Sequence, residues 1–413
     1  MNSNSNSRRP SFGGRDKPRG ESRGNFHKPR GSASFGSVNQ NRFRTKIKTM
    51  DPRMIIKREA EFVEPEAYVA VNTFNDFNIA EKIKQNIISK GYISPTPIQD
   101  KAIIPALEGK DIVGIANTGT GKTAAFLIPL INKVYLDRNL KVLIIAPTRE
   151  LAVQIRTEFN EFSLNSGLNS VLCIGGVNIR PQIQALRNPF NFVIGTPGRI
   201  KDLKNQNKLN IAAFSTIVLD EVDRMLDMGF IHDIKFIISH LPRERQSLFF
   251  SATMTPAVTE IMSSLSANPI TISVKKQEVS LNVDQDVISA RGANKLDVLH
   301  DLLIKDNFEK VLIFGRTKWG VEKLSKALEQ RGFKVAALHG NKNQNQRQRA
   351  LDDFRNNKIN ILLATDVAAR GLDIDGISHV INYELPESYD DYVHRIGRTG
   401  RAEKKGSALT FVD

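Results

Sequence analysis

Short runs of β-branched and aromatic residues alternate with helical stretches over most of this chain, and that alternation limits the possible folds more than any other feature. Parallel strands need a crossover between them, so this order of elements predicts parallel sheets covered by helices. The runs fall into two series, one over residues 112–251 and one over residues 287–412. The predicted strands are Ile112–Ala116, Val142–Ala146, Val171–Ile174, Phe192–Gly195, Thr216–Asp220, Leu248–Ser251, Val287–Ser289, Lys310–Phe314, Lys334–Leu338, Ile361–Ala364, His379–Asn382 and Ala408–Val412.

A polar stretch from Lys275 to Asn282 separates the two series. The chain has 413 residues, enough for two domains that each bury a core. We therefore expect an α/β protein with two domains. The expected limits are a tail over residues 1–70, a first domain over 71–274, a linker over 275–283 and a second domain over 284–413.

Positive charge is concentrated at the amino end of the chain. Residues 1–60 hold 15 of the 59 Lys and Arg but 4 of the 44 Asp and Glu. Residues 1–49 are rich in Asn, Ser, Gly and Arg, with isolated phenylalanines, and are predicted to be disordered because they cannot form an apolar core. Arginine can pair with phosphates and phenylalanine can stack on bases, so this segment is predicted to bind single-stranded nucleic acid. The alternative is a solubilising leader without a specific partner.

The composition excludes several classes of protein. The longest uninterrupted apolar run, Ala124–Ile131, has 8 residues, which is too short to cross a bilayer. The single cysteine, Cys173, cannot form an intramolecular disulfide, and its apolar neighbours predict a buried thiol. The pair Arg8-Arg9 lacks the apolar segment that an export signal requires. We therefore expect a cytoplasmic protein with no membrane partner.

The segment Ala116–Thr123 follows a predicted strand and opens a predicted helix, which is typical of a phosphate-binding loop. Gly119 and Gly121 allow backbone N–H groups to face a phosphate, and Lys122 adds a positive charge. The Thr123 hydroxyl can hold Mg²⁺. The strict pattern begins with glycine, and here that place is alanine. The predicted nucleotide-binding residues of the loop are Thr118, Gly119, Thr120, Gly121, Lys122 and Thr123.

Two carboxylates follow the apolar strand Thr216–Asp220. Ligands bind at the carboxyl ends of strands in open α/β sheets, so Asp220 and Glu221 are predicted to lie beside the loop. Asp220 would coordinate Mg²⁺ directly or through water, and Glu221 would orient and deprotonate an attacking water. An acidic helix cap after a strand is the alternative.

The order and spacing of these and further motifs resemble the DEAD-box RNA helicases from about Phe74 to Asp413. The resemblance implies a superfamily 2 helicase core, in which two tandem RecA-like domains of P-loop NTPase type close on ATP and RNA together. The motifs that carry it are Phe74, Gly91–Gln99, Pro147–Ala152, Thr196–Arg199, Asp220–Asp223, Ser251–Thr253 and His394–Arg401.

The resemblance implies roles for nucleotide-site residues outside the loop. Phe74 would stack on adenine and Gln99 would bond to its edge; without the family, a helix-entry contact and a helix cap are the alternatives. Asp373 would reach the ribose. Arg398 and Arg401 would be arginine fingers that complete the ATPase site when the domains close. The residues implied to couple nucleotide and RNA are Asp223, Ser251, Thr253 and His394.

The resemblance also implies contacts to the RNA backbone rather than to its bases. Thr148 and Thr196 are predicted helix N-caps, which would present free N–H groups to phosphates. As plain helix starts they would need no RNA. The implied RNA-binding residues are Pro147, Thr148, Arg149, Gly176, Thr196, Pro197, Arg199, Arg316, Gly340, Gln344, Arg347, Thr365 and Arg370.

The expected function is ATP hydrolysis that RNA stimulates and that drives local, non-processive unwinding of RNA duplexes or remodelling of RNA–protein complexes. ATP and Mg²⁺ are the expected cofactors, and a monomer is expected. A DNA-stimulated ATPase or helicase, or an RNA-annealing clamp with little turnover, are the alternatives. Val222 stands where the family has alanine and is expected only to repack its surroundings.

Overall fold

A computed structural model describes residues 50, 51, 55, 68–117, 119–274, 283–305, 308–369, 374, 376–400 and 405–412, all within one compact unit. These residues form two parallel sheets with helices packed against them, so the predicted fold class is confirmed. Residues 1–49, on which the prediction of disorder rests, lie outside the described residues, as does the segment 275–282 of the predicted linker.

The first domain is built on a seven-stranded sheet in which all neighbouring strands run parallel. Its strands are β1 (Ile112–Ile115), β2 (Val142–Ile145), β3 (Ser170–Cys173), β4 (Phe192–Gly195), β5 (Thr216–Leu219), β6 (Gln246–Ser251) and β7 (Ile270–Ser273). The strand order is β3-β4-β2-β5-β6-β1-β7. Each crossover between parallel neighbours carries the chain back over a face of the sheet, which places the helices there.

The helices of the first domain begin at residues that suit helix starts. Thr148 accepts a hydrogen bond from Leu151 N, and Thr96 and Gln99 form a capping box. The helices are α1 (Glu81–Ser89), α2 (Pro97–Leu107), α3 (Lys122–Leu136), α4 (Arg149–Phe162), α5 (Ile179–Ala185), α6 (Pro197–Asn205), α7 (Val222–Asp227), α8 (Ile231–Ser239) and α9 (Pro256–Leu265), with a 3₁₀ turn at Ile211–Ala213.

The second domain has a six-stranded parallel sheet. Its strands are β8 (Val283–Ser289), β9 (Val311–Phe314), β10 (Val335–Leu338), β11 (Ile361–Ala364), β12 (His379–Asn382) and β13 (Gly406–Val412), in the order β10-β11-β9-β12-β13-β8. Its helices are α10 (Lys295–Leu303), α11 (Lys318–Gln330), α12 (Gln344–Arg355), α13 (Asp366–Ala369) and α14 (Tyr389–Ile396).

The predicted strands match observed strands, apart from their ends. The strand β7 was not predicted, because Ile272 is its only buried residue and it lies at the sheet edge. The first half of β8 was missed as well, since Val283-Asp-Gln-Asp looks polar in the sequence. Its side chains alternate between more and less buried positions, as expected for a strand with one covered face.

Alternate residues of each strand enter different cores. Ile112 packs in one apolar cluster and Val113 in another, and Leu312 and Val311 divide in the same way in the second sheet. Both faces of each sheet are therefore covered, as is usual for parallel sheets. Among the described residues, no helix has both the length and the apolar character needed to cross a membrane.

Packed residues also occur within the predicted tail. Met50 and Ile55 are buried against a cluster on the second domain that includes Tyr392 and Ile396, and Met50 N donates to Pro386 O. Farther along, Tyr68 donates a 2.6 Å hydrogen bond to Asp100 in the first domain. The packed part of the chain therefore starts upstream of the predicted limit at residue 71.

Candidate functional site

The loop between β1 and α3 has the backbone shape that a phosphate site needs. Gly119 and Gly121 have φ values of 82° and 86°, in the left-handed region that glycine adopts without strain. The helix α3 begins at Lys122, so its free N–H groups lie at the loop. Lys122 is buried, and its Nζ donates to Ala116 O at 2.9 Å. Thr118 lies outside the described residues.

The start of α2 holds this loop through hydrogen bonds to its carbonyl groups. Thr96 Oγ1 donates to Thr120 O at 2.8 Å, and Gln99 Nε2 donates to Gly121 O at 3.1 Å. Gln99 Oε1 also accepts a hydrogen bond from Thr96 N. In this structure Gln99 therefore caps α2 and contacts the loop. The sequence analysis gave a helix cap as the alternative to its adenine contact, and these hydrogen bonds correspond to that alternative.

Phe74 is enclosed by other aromatic side chains. It is 3% exposed and meets Phe77 and Tyr92 edge to face, each with ring centroids 5.8 Å apart. Its ring contacts protein here, and it belongs to the same apolar cluster as α3. The predicted adenine contact would require a face of this ring to become exposed.

The two carboxylates lie at the carboxyl end of β5, the strand beside β6 in the sheet. Both are buried, and Glu221 has a φ of 53°, which is unusual for a residue with a side chain. This backbone conformation turns the chain from β5 into α7. Arg224, one turn into that helix, donates to the Glu221 carboxylate.

The charges around the two carboxylates differ. Burial raises the pKa of Asp220 to about 7, although the charge of Lys122 opposes the rise. Burial would also raise the pKa of Glu221, but the positive charges of Arg224, Lys122 and Arg398 outweigh it and lower that pKa. Glu221 is therefore ionised at neutral pH, which a group that accepts a proton must be.

Residues of both domains line one small cavity of about 30 Å³ that is open to solvent on one side. Lys122 and Glu221 contribute to its first-domain side, and Arg398 and His394 contribute to its second-domain side. Arg398 is 4% exposed, and its Nε donates to His394 O at 3.2 Å. The structure thus brings the loop lysine, a carboxylate and one predicted arginine finger together. Arg401 and Asp373 lie outside the described residues.

A short hydrogen-bonded network connects the strand end of β6 with α7. Asp223 Oδ2 accepts hydrogen bonds from Thr253 N at 3.0 Å and from Thr253 Oγ1 at 3.1 Å. Ser251 Oγ accepts from Asp223 N at 3.4 Å and donates to Thr253 O at 2.8 Å. Ser251 and Thr253 thus both hydrogen-bond to Asp223, and Asp223 and His394 line the same cavity.

The predicted RNA residues of the first domain follow β2, β3 and β4, which are neighbours in the sheet. Thr148 and Thr196 are the N-cap residues of α4 and α6, as predicted, and only Thr148 makes a side-chain cap bond. The loop at Gly176 lies between two arginines. A Cβ on Gly176 would lie 1.9 Å from Arg149, and Arg199 donates to Val177 O at 3.1 Å. Pro147 and Pro197 adjoin the two caps.

The second domain repeats this arrangement after β9, β10 and β11, which are also neighbours. Arg316 follows β9, Gly340 follows β10 and Thr365 follows β11. Arg316 donates to Leu385 O at 3.0 Å. Arg370 lies outside the described residues. In each sheet the predicted RNA residues therefore lie along one edge, by which we mean the line formed by the carboxyl ends of adjacent parallel strands.

Two predicted RNA residues instead contact the first domain. Gln344 Nε2 donates to Glu150 Oε1 at 3.0 Å, and Arg347 forms an ion pair with Glu150 at 2.9 Å. All three side chains are largely buried, which ties the start of α12 to the start of α4. The sequence analysis gave Glu150 no role. Its carboxylate directly follows Arg149 in a segment predicted to bind RNA, and an acidic group in such a segment could have indicated a protein contact.

Comparison with known proteins identifies the family. The model of the DEAD/DEAH box helicase family matches residues 96–261, and the model of the helicase conserved C-terminal domain matches residues 294–403. An ATP-dependent RNA helicase CshA of Limosilactobacillus reuteri is 43% identical over 341 residues, which are 82% of this chain and 69% of that protein. This chain belongs to the DEAD-box RNA helicase family.

Other members of the DEAD-box family are similar over the same region. The ATP-dependent RNA helicase CshA of Listeria monocytogenes is 46% identical over 341 residues, covering 82% of this chain and 66% of that protein. The chain thus spans about two thirds of the length of these curated relatives. The structure of S. cerevisiae Dbp5 bound to RNA and ADP BeF3 matches with a TM-score of 0.73 and 30% identity, covering 82% of this chain and 89% of that one.

Arg224, like Glu150, was given no role by the sequence analysis. Arg224 is buried beside Glu221 and contributes to the lining of the shared cavity. Arg224 lies three residues after Glu221, which is the spacing of neighbouring side chains on a helix. Glu221, however, precedes the helix and has a φ of 53°, so helix spacing alone does not predict the contact between the two side chains. That φ could not be obtained from the sequence.

Proposed function

We propose that this chain is an ATP-dependent RNA helicase in which RNA stimulates ATP hydrolysis, and hydrolysis is coupled to local, non-processive separation of RNA duplexes. The observation that carries this proposal is the cavity lined by Lys122 and Glu221 of the first domain and Arg398 of the second. A catalytic site made from both domains is complete only while the two domains are in contact. A ligand that holds the domains in contact therefore also controls the rate of ATP hydrolysis.

Each side chain at this cavity has a distinct task. The loop N–H groups and Lys122 bind the β- and γ-phosphates of ATP. Glu221, held ionised by Arg224, Lys122 and Arg398, orients the attacking water and accepts its proton. Arg398 stabilises the negative charge that develops on the transferring phosphoryl group, a contribution on the order of 10³ to 10⁵ in rate.

The residues present fit a magnesium ion. Asp220 is buried, and its Oδ1 has no hydrogen-bond partner among the described residues. An unpartnered buried carboxylate oxygen is costly unless a ligand satisfies it. Asp220 and Thr123 would hold Mg²⁺, which supplies charge neutralisation for the phosphate oxygens. Cation binding would also keep Asp220 ionised in spite of its burial.

RNA would contact the carboxyl-end edges of both sheets through the residues predicted from the sequence. Thr148, Arg149 and Arg199 belong to the first edge, and Arg316 and Thr365 belong to the second. The RNA-bound structure of Dbp5, which this chain resembles, supports RNA as the joining ligand. Glu150 would stabilise the joined state through its contacts with α12.

The test is phosphate release from ATP by the purified chain alone, with single-stranded RNA and with DNA of the same sequence. Strong stimulation by RNA, little by DNA and none in Lys122→Ala are expected. Lys208→Ala, at an exposed lysine of the first domain, is the matched control and should keep wild-type turnover. Equal stimulation by DNA would favour the DNA helicase, and no turnover from folded protein would favour the annealing clamp.

Strand separation needs its own measurement. Release of a labelled strand from a short RNA duplex should require ATP and should fall steeply as the duplex lengthens, because the opening is local. Glu221→Gln should bind ATP and RNA but release neither phosphate nor strand at the wild-type rate. Rapid turnover by that variant would remove Glu221 from its assigned role.

A further inference from the structure

The only tryptophan of the chain, Trp319, stands on the surface of the second domain with 71% of its side chain exposed. It is the second residue of α11, whose N-cap Thr317 accepts a hydrogen bond from Gly320 N at 3.0 Å. That cap fixes the helix start and therefore the backbone position of Trp319. A side chain this large usually buries an area of about 150 to 250 Å², which Trp319 does not do among the residues that the structure describes.

The indole lies at the sheet edge that carries the predicted RNA residues. The helix α11 begins right after Arg316, the predicted contact that follows β9. Glu322, three residues after Trp319, accepts from His339 Nε2 at 2.9 Å and pairs with Lys342 at 2.8 Å. Residues three apart share a helix face, so Trp319 faces the same side as the loop that contains Gly340.

The surroundings of Trp319 are open and hold more cationic side chains than carboxylates. A Cβ on Gly340 would meet no atom within 4 Å, so the space above this loop is free for a ligand. Lys318, which precedes Trp319 in the chain, is exposed, and Lys342 and Arg316 lie at the same edge. Two carboxylates are also near: Glu322 is paired with Lys342 and His339, and Glu384 accepts a hydrogen bond from Arg316 N at 2.5 Å.

This chemistry fits an unpaired nucleotide better than a protein surface. An aromatic ring next to cationic side chains is the combination that binds single-stranded nucleic acid, with the cations at phosphates and the ring against a base. An apolar protein partner would have to cover three cationic groups and two carboxylates at the same time. RNA supplies an anion and a flat apolar face together.

We propose that Trp319 stacks on an unpaired base of the RNA strand whose backbone contacts Arg316 and Gly340. The proposal rests on the proposed function, because it assumes that RNA binds along this edge. It adds a base contact to a site otherwise built for the backbone, so the helicase distinguishes bases by their stacking strength. A purine at the stacked position binds more tightly than a pyrimidine.

Tryptophan fluorescence tests this directly, because a single indole reports the signal. Oligoadenylate is added to the full chain with ADP and beryllium fluoride, while anisotropy of a labelled RNA measures binding independently. Quenching that follows the binding curve is expected. In Trp319→Ala the affinity for oligoadenylate should fall by about 5- to 100-fold, and Trp319→Phe should recover part of it. Ile304→Ala, at another exposed apolar residue of this domain, should keep wild-type affinity.

The two readouts separate the possible failures. RNA binding by anisotropy without a change in fluorescence, or with equal affinity in Trp319→Ala, overturns the stacking contact and leaves the helicase proposal standing. A wild-type preference for oligoadenylate over oligouridylate that persists in Trp319→Ala also overturns it. Absence of RNA binding under all conditions overturns both.

Discussion

The side-chain amide of Gln344 donates a 3.0 Å hydrogen bond to the carboxylate of Glu150, a residue 194 positions earlier in the chain. Arg347 pairs with the other oxygen of the same carboxylate at 2.9 Å. One acidic side chain of the first domain is thus shared by two residues of α12 in the second. The contact stabilises the arrangement in which the cavity between the domains is complete.

Replacing Glu150 should weaken this arrangement without touching ATP. In Glu150→Gln, Arg347 is left buried without its counter-charge, which costs about 3 kcal/mol when a buried pair is broken. RNA affinity measured with ADP and beryllium fluoride should therefore fall by about tenfold or more, while affinity without nucleotide changes little. Glu161→Gln alters a surface pair on the same helix and serves as the control. Equal losses with and without nucleotide would contradict a role in domain closure.

Gly176 allows close approach between the loop after β3 and Arg149. Its φ is 71°, and a Cβ there would lie 1.9 Å from the guanidinium. Gly176→Ala should displace Arg149 and reduce RNA affinity severalfold, whereas ATP binding should persist. Gly229→Ala is the matched control, because its φ of 80° carries the same strain with no atom within 4 Å of the new Cβ. If both variants lose RNA affinity alike, backbone strain and not the arginine explains the effect.

Asp100 fastens the segment before Phe74 to the first domain. Its carboxylate accepts hydrogen bonds from Tyr68 Oη, Val71 N, Asn72 N and Asn72 Nδ2, at distances between 2.6 and 3.2 Å. Burial would raise the pKa of Asp100, but these hydrogen bonds outweigh it and lower the pKa. A folded-state pKa below the unfolded one stabilises the folded protein above about pH 4, and this contribution is lost as pH falls through the folded-state pKa.

The variant Asp100→Asn should therefore unfold more easily at neutral pH, by about 2 to 3 kcal/mol, since bonds to an ionised group are lost. Urea unfolding of the variant and of the wild type, measured from neutral to acidic pH, should show this gap closing as the wild-type carboxylate becomes protonated. Asp301→Asn, at an exposed carboxylate, is the control and should leave unfolding unchanged. A gap that is constant with pH would exclude ionisation as its cause.

The sequence predicted most of the fold because its signals are local. Strands such as Phe192–Gly195 and Ile361–Ala364 are buried on both faces and appear as unbroken apolar runs. The strand β7 has one buried residue and gives no such signal. Sequence motifs also predicted that Lys122, Glu221 and Arg398 would share a site, and these residues do line one cavity.

Contacts between distant residues could not be predicted from local patterns. The bonds of Glu150 with Gln344 and Arg347 depend on how the two domains meet, which no spacing within a motif encodes. The contacts of Phe74 with Phe77 and Tyr92 are closer in sequence, but they depend on how the turn before α1 and the turn after it pack together. The roles assigned to Phe74 and Gln99 at the adenine remain predictions.

The measurement that tests the shared ATPase site most directly is RNA-stimulated phosphate release in Arg398→Ala. ATP should still bind, because the loop of the first domain is intact, while stimulated turnover should fall by about 10³-fold or more. Arg243→Ala, at an exposed arginine of the first domain, should keep wild-type turnover. Stimulated turnover by Arg398→Ala at the wild-type rate would contradict a catalytic site completed by the second domain.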